Sequence, residues 1–144
     1  MKPFYTAHAA SHGGRMGQIK SDDGKLSLSL TVPEAMGGPG GAGTNPEQIF
    51  AGGYAACFHS AMQHLADGQK LSLGDSTVTG HVSIGQSDAG PGFQLAVQLE
   101  VDLPGLDQGE AEALVAQAHA VCPYSNAVKN NVAVDLTVRG RQPA

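Results

Sequence analysis

The segment "KLSLSLTV" (25–32) alternates apolar and polar residues, with Leu26, Leu28, Leu30 and Val32 on one face. A period of two predicts a strand buried on one side. The same period runs through "FQLAVQLEVDL" (93–103), where Phe93, Leu95, Val97, Leu99, Val101 and Leu103 line up, and returns in "NVAVDLTV" (131–138). The segment "STVTGHVSI" (76–84) precedes 93–103 across "GQSDAGPG", a turn-rich connection that predicts a hairpin. Near the start, "PFYTAHAA" and "GRMGQIK" flank "SHGG" and read as another hairpin.

Between these strands the period changes to that of a helix. At "TNPEQIF", Asn45 suits the N-cap, Pro46 the first turn, and Glu47 the positive helix end. The helix is expected to run to about Asp67, with Gly68 ending it and Phe50, Tyr54, Cys57, Ala61 and Leu65 on one apolar stripe. Gly52 and Gly53 weaken its propensity and suggest close approach by another backbone. A second helix over 107–121 turns Leu114, Val115, Ala118 and Val121 inward, and Pro123 stops it, leaving Cys122 outside helical geometry. Strands and helices in this order predict an α+β fold, and 144 residues suit a single domain, 1–144.

Composition narrows the function classes. Only 15% of residues are charged, which leaves room for surface covered by another subunit. A net charge of −5, with no basic run, argues against nucleic acid and anionic membranes as partners. The opening segment lacks the apolar core of a signal peptide and no stretch is long enough to span a bilayer, so a cytoplasmic location is expected. The glycine-rich "EAMGGPGGAG" (34–43) lacks the lysine and hydroxyl of a phosphate-binding loop and reads as a flexible or close-packed connection. Six histidines form no HExxH motif, and no metal site is expected.

The two cysteines, Cys57 and Cys122, form neither a CxxC nor a disulfide framework. Spacing alone reads Cys57 as a small apolar packing residue on its helical stripe. A reactive Cys57 has a physical requirement, since apolar burial raises a thiol's pKa and something must hold the thiolate. The helix N-terminus lies 11 residues away, about 16 Å along the axis, too far for the dipole to act. A cation must come from elsewhere, and Arg15 is the one arginine outside the C-terminal tail. His59 points to another side of the helix than Cys57, His64 lies about 10 Å along it, and His119 stands three residues before Cys122. A Cys-His hydrolase is therefore disfavoured.

The motifs "GGAGTNPEQIFAGGYAACF" and "HAVCPYSNAVKNN", with the upstream "GGR", strongly resemble the organic hydroperoxide resistance proteins, a branch of the OsmC/Ohr family. The resemblance covers essentially the whole chain. It implies an OsmC-like fold, with antiparallel sheets packed around two long central helices in an intertwined homodimer and active sites at the subunit interface. It also implies reduction of organic hydroperoxides, those of fatty acids included, to alcohols. Carried onto this chain, Cys57 in "AACF" is the peroxidatic cysteine, Cys122 in "VCPYS" the resolving one, Arg15 the activator of the thiolate, and Glu47 its partner. No cofactor is bound, and the external reductant is a dihydrolipoyl group on a lipoylated protein. The sequence departs from relatives at His59-Ser60, where Leu-Gly is common, and at Lys129-Asn130, where Arg-Gly is frequent.

In the chemistry so implied, the Cys57 thiolate attacks a peroxide oxygen and becomes a sulfenic acid, which condenses with Cys122 into a disulfide. The two α-carbons must then approach within about 7 Å, so the two helices are expected to pack side by side. Phe50, Phe58, Met62 and Tyr124 are the expected apolar contacts for a bulky peroxide. Ten residues separate Glu47 from Cys57, about 15 Å on a continuous helix, so at least Glu47 is expected to serve the site of the other subunit. Two alternatives stand beside this reading: an OsmC-type peroxidase of broader range, and a non-enzymatic carrier of apolar ligands whose cysteines are incidental.

Overall fold

The computed structural model describes residues 1–142. Its backbone divides into two compact units, Met1–Ile49 and the remainder from Phe50. The first holds a three-stranded antiparallel sheet in the order β1 (Ala9–His12), β2 (Gln18–Ser21), β3 (Ser27–Ser29). The expected N-terminal hairpin is thus present, although its first strand begins at Ala9. Its turn is a short 3-10 segment, Gly14–Met16, entered through Gly13 and Gly14 at φ 81° and 59°. Gly17 closes the turn, where a Cβ would collide with the His12 carbonyl oxygen.

The strand expected over 25–32 is shorter than its alternation suggests. β3 pairs with β2 only over Ser27–Ser29, and beyond it the ladder changes partner, with Thr44 bridging Leu30 in parallel. Leu30 is buried, whereas Leu26 is exposed. The glycine-rich loop is close-packed rather than loose: Gly38 and Gly40 donate to the carbonyls of Pro33 and Val32, and Gly43 lies against Thr31.

Helix α1 (Pro46–Gln69) starts as expected, with the Asn45 side chain accepting from the Gln48 amide at 2.9 Å. It does not end at Gly68. The chain leaves the helix at Lys70, at φ 57°. The deepest stripe is rotated from the expected one, since Tyr54, Phe58, Met62 and Ala66 are fully buried while Phe50, Cys57, Ala61 and Leu65 are half-buried beside them. Gly52 meets nothing. The close backbone approach falls one residue earlier, where Gly80 lies so near the Ala51 carbonyl that a Cβ would sit 2.7 Å away.

The second unit's sheet joins β4 (Thr77–Gln86), β5 (Phe93–Leu103) and β6 (Val134–Gly140) in that order. The β4–β5 hairpin is in place. Val97, Leu99, Val101 and Leu103 enter the core, but Phe93 lies beyond its edge and is exposed. The sheet is mixed rather than purely antiparallel: β6 runs parallel to β5, because the chain crosses over through α2 (Gln108–Val121) and α3 (Pro123–Val128) before returning. β6 begins at Val134, later than expected, because the Asn131 and Val132 amides are turned back onto the Val128 carbonyl.

Asp107 caps α2 by accepting from the Glu110 amide. Ala111, Leu114, Val115 and Ala118 face inward, while Val121 is exposed and Cys122 takes the buried position one turn after Ala118. Pro123 does break α2, leaving Cys122 extended at φ −63°, ψ 124°. The same proline then opens α3, a helix the sequence reading lacked. Among the described residues, no helix is long and apolar enough to cross a membrane.

Candidate active site

The break between α2 and α3 has a chemical consequence, because it turns the Cys122 side chain toward α1. Both cysteines are free thiols and neighbours, and the Tyr124 backbone amide lies close to Cys57. The expected packing of the two helices is seen in their shared core and in the Gln69 amide, which donates to Gln117 at 2.6 Å. Cys122 is fully buried and Cys57 half-buried. Burial pushes the Cys57 thiol above its ordinary value, the neighbouring Cys122 adds to the rise, and the Tyr124 amide opposes it. No cation is among these influences.

Arg15 and Glu47 form the second constellation. The glycine turn delivers Arg15, and Pro46 and the Asn45 cap set Glu47 in the first turn of α1. The guanidinium donates two parallel bonds to the carboxylate, 2.8 Å from Nη1 to Oε2 and 2.6 Å from Nη2 to Oε1. The fork geometry needs arginine, since lysine offers a single point charge. Arg15 holds the Glu47 carboxyl below its ordinary value, against a smaller opposing effect of burial. α1 is unbroken at Gly52-Gly53, and the ten residues from Glu47 to Cys57 span about 15 Å of its axis.

The four apolar residues divide. Phe50 and Tyr124 meet edge to face at 6.3 Å and both keep exposed surface. Gly53 makes room for this ring, since a Cβ there would lie 2.9 Å from the Tyr124 hydroxyl. Phe58 and Met62 expose nothing, because the rotated stripe turns them into the core. In this chain they offer no face to a substrate.

Three residues beside the thiols were absent from the sequence reading as site residues. Tyr54, one turn before Cys57, shares a 2.6 Å hydrogen bond with the Ser125 hydroxyl, which also meets His119 Nδ1 at 2.9 Å. His119 is half-buried and tied to Ser125, while His59 is engaged by Ser76 at 2.8 Å. The signal for the first trio was positional: Tyr54 stands three residues before Cys57, and His119 and Ser125 three to either side of Cys122. Among the described residues, no group of three or more His, Cys, Asp and Glu side chains is placed to hold a metal ion.

Known proteins share this framework. The family model described as OsmC-like protein matches residues 38–137. An organic hydroperoxide resistance protein of Xanthomonas axonopodis pv. citri (strain 306) is 49% identical over 138 residues, covering 95% of this chain and 96% of its own. The organic hydroperoxide resistance protein OhrB of Bacillus subtilis (strain 168) is 44% identical over 136 residues, 94% of this chain and 98% of its own. The crystal structure of an organic hydroperoxide resistance protein from Legionella pneumophila superposes with a TM-score of 0.90 at 51% identity, covering 96% of this chain and 99% of that one. Matched along nearly its whole length, the chain belongs to the OsmC/Ohr family, on the branch of the organic hydroperoxide resistance proteins.

Proposed function

We propose that this protein is a thiol-dependent peroxidase that reduces organic hydroperoxides, fatty-acid hydroperoxides among them, to alcohols. The observation that carries the reading is the meeting of the two thiols, Cys57 from the middle of α1 and Cys122 from the break between α2 and α3. An incidental pair of packing cysteines does not need a broken helix to bring it together. The Cys57 thiolate attacks one peroxide oxygen, the O–O bond breaks, and the alkoxide leaves to take up a proton. The resulting sulfenic acid condenses with the Cys122 thiol, forming the S–S bond and releasing water. A dihydrolipoyl group on a lipoylated protein then reduces the disulfide by exchange, with no bound cofactor. A cytoplasmic setting suits an enzyme that must be re-reduced in each cycle.

The raised pKa of Cys57 calls for a cation, and the Arg15–Glu47 fork is the proposed source. Arg15 would stabilise the thiolate and the charge developing on the departing oxygen. Because α1 separates Glu47 from Cys57, the fork is proposed to come from a second copy of the chain in a homodimer. Phe50 and Tyr124 would receive the apolar part of the hydroperoxide.

The test is consumption of cumene hydroperoxide with dihydrolipoamide as reductant. Wild type is expected to turn over, Cys57→Ser to lose all consumption, and Cys122→Ser to react once and stall. A wild type that consumes no hydroperoxide, with Cys57→Ser retaining affinity for apolar ligands, would leave the carrier reading in its place. Turnover of hydrogen peroxide as fast as of cumene hydroperoxide would favour the broader OsmC-type peroxidase.

A further inference from the structure

Among the described residues, Ser125 is the one buried residue outside the apolar and aromatic set, and it sits at the meeting point of three helices. Its hydroxyl can donate once and accept twice, and it has two partners: the hydroxyl of fully buried Tyr54 of α1 and the His119 ring of α2. His119 and Ser125 bracket Cys122, three residues before and three after, so their bond closes the α2–α3 break across the cysteine. The bond to Tyr54 ties that closed break to the turn of α1 just before Cys57. Aromatic contacts reinforce the tie, with Tyr54 and Tyr124 ring centroids 5.7 Å apart. Hydroxyls in a core whose other members are apolar are costly unless paired, so this chain holds one arrangement strongly.

Resting on the peroxidase reading, we propose that the Tyr54–Ser125–His119 chain is a brace that positions Cys122 against oxidised Cys57, making these three the positioning residues of disulfide formation. The brace acts on the second step alone. Attack on the hydroperoxide needs Cys57 and its cation. Condensation needs the Cys122 sulfur aligned with the S–O bond of the sulfenic acid, as the S–S bond forms and the hydroxyl departs with the Cys122 proton as water. The Cys122 backbone is tied to each helix by one bond, its amide to Ala118 and its carbonyl to Asn126, and the brace fixes how the two helices meet around the thiol.

The test treats the reduced full-length protein with one equivalent of cumene hydroperoxide, quenches with dimedone at intervals, and follows adduct and disulfide by intact mass. Ser125→Ala and Tyr54→Phe are expected to consume the hydroperoxide at close to the wild-type rate, yet form the disulfide about tenfold to a hundredfold more slowly while trappable sulfenic acid accumulates. His119→Ala should slow in the same way, and His119→Asn, which keeps a polar atom near the Nδ1 position, should recover most of the rate. Melting curves identify any variant that fails to fold, and half-buried His119 provides a series independent of the buried pair. Disulfide formation at the wild-type rate in all variants overturns the brace, as does equal slowing of both steps. A wild type that forms no Cys57–Cys122 disulfide overturns the peroxidase reading, and the brace falls with it.

Discussion

Glu47 shows how much one carboxylate does at the residue scale. Its side chain is 13% exposed and its partner Arg15 36%, so the fork is partly screened by solvent and contributes about 1 kcal/mol rather than the full value of a buried pair. The folded-state pKa lies below the ordinary 4.5, because the arginine bonds favour the charged form. Between the two values the unfolded chain binds more protons, so stability rises with pH there. The contribution is complete above 4.5 and is lost as pH falls through the folded value. Glu47→Gln is therefore expected to lower stability to urea by about 1 kcal/mol at neutral pH, with the gap from wild type closing as the solution is acidified below the carboxylate range. A gap that persists unchanged in acid would mean that the carboxylate's charge is not what holds Arg15.

At the scale of the element, α1 carries glycines with opposite expectations. Gly68 lies in the helix with nothing within 4 Å of an added Cβ, so Gly68→Ala should stabilise the protein by about 0.5–1 kcal/mol through helix propensity alone. Gly53→Ala gains the same propensity but drives a methyl against the Tyr124 hydroxyl at 2.9 Å. That ring follows Pro123 and leans on Phe50 and Tyr54, so giving way disturbs both aromatic contacts. Gly53→Ala should therefore show no gain in melting temperature and a slower disulfide step, and equal stabilisation by both substitutions would contradict the packing. This pair also marks what the sequence made legible. Asn45, Pro46 and Pro123 announced their helix boundaries through local chemistry, but Gly68 was misread as a stop, because a lone glycine is tolerated in a helix whose far face is packed. Which of two adjacent stripes enters the core depends on the sheet that meets it, as the rotation to Tyr54, Phe58 and Met62 shows. The parallel return of β6 is likewise a crossover property invisible in its own alternation. The thiol pair was legible through its motifs, whereas the Ser125 network was not, since a serine's partners are set by tertiary geometry.

At the scale of the whole molecule, the proposed site takes its fork from a second chain. The thiols meet within one chain under conditions that raise the Cys57 pKa, and Arg15 is paired with a carboxylate ten residues before Cys57 on α1. In the proposed two-fold dimer, each chain would donate its Arg15–Glu47 fork to the other's Cys57. Cys57→Ser and Arg15→Lys are each expected to be inactive alone, the first lacking the nucleophile and the second the fork. Unfolded together and refolded at equal concentrations, half of the dimers pair one variant with the other. In each of those, one site combines intact Cys57 of the Arg15→Lys chain with intact Arg15 of the Cys57→Ser chain, while the other site lacks both. Activity should return to about a quarter of the wild-type value per chain, since half the dimers each hold one working site of two. If fork and thiol belonged to the same chain, no mixed dimer would assemble a complete site and the mixture would stay inactive. Sedimentation of the refolded mixture as a dimer makes that negative result decisive, because it separates a site built within one chain from a failure of the two variants to pair.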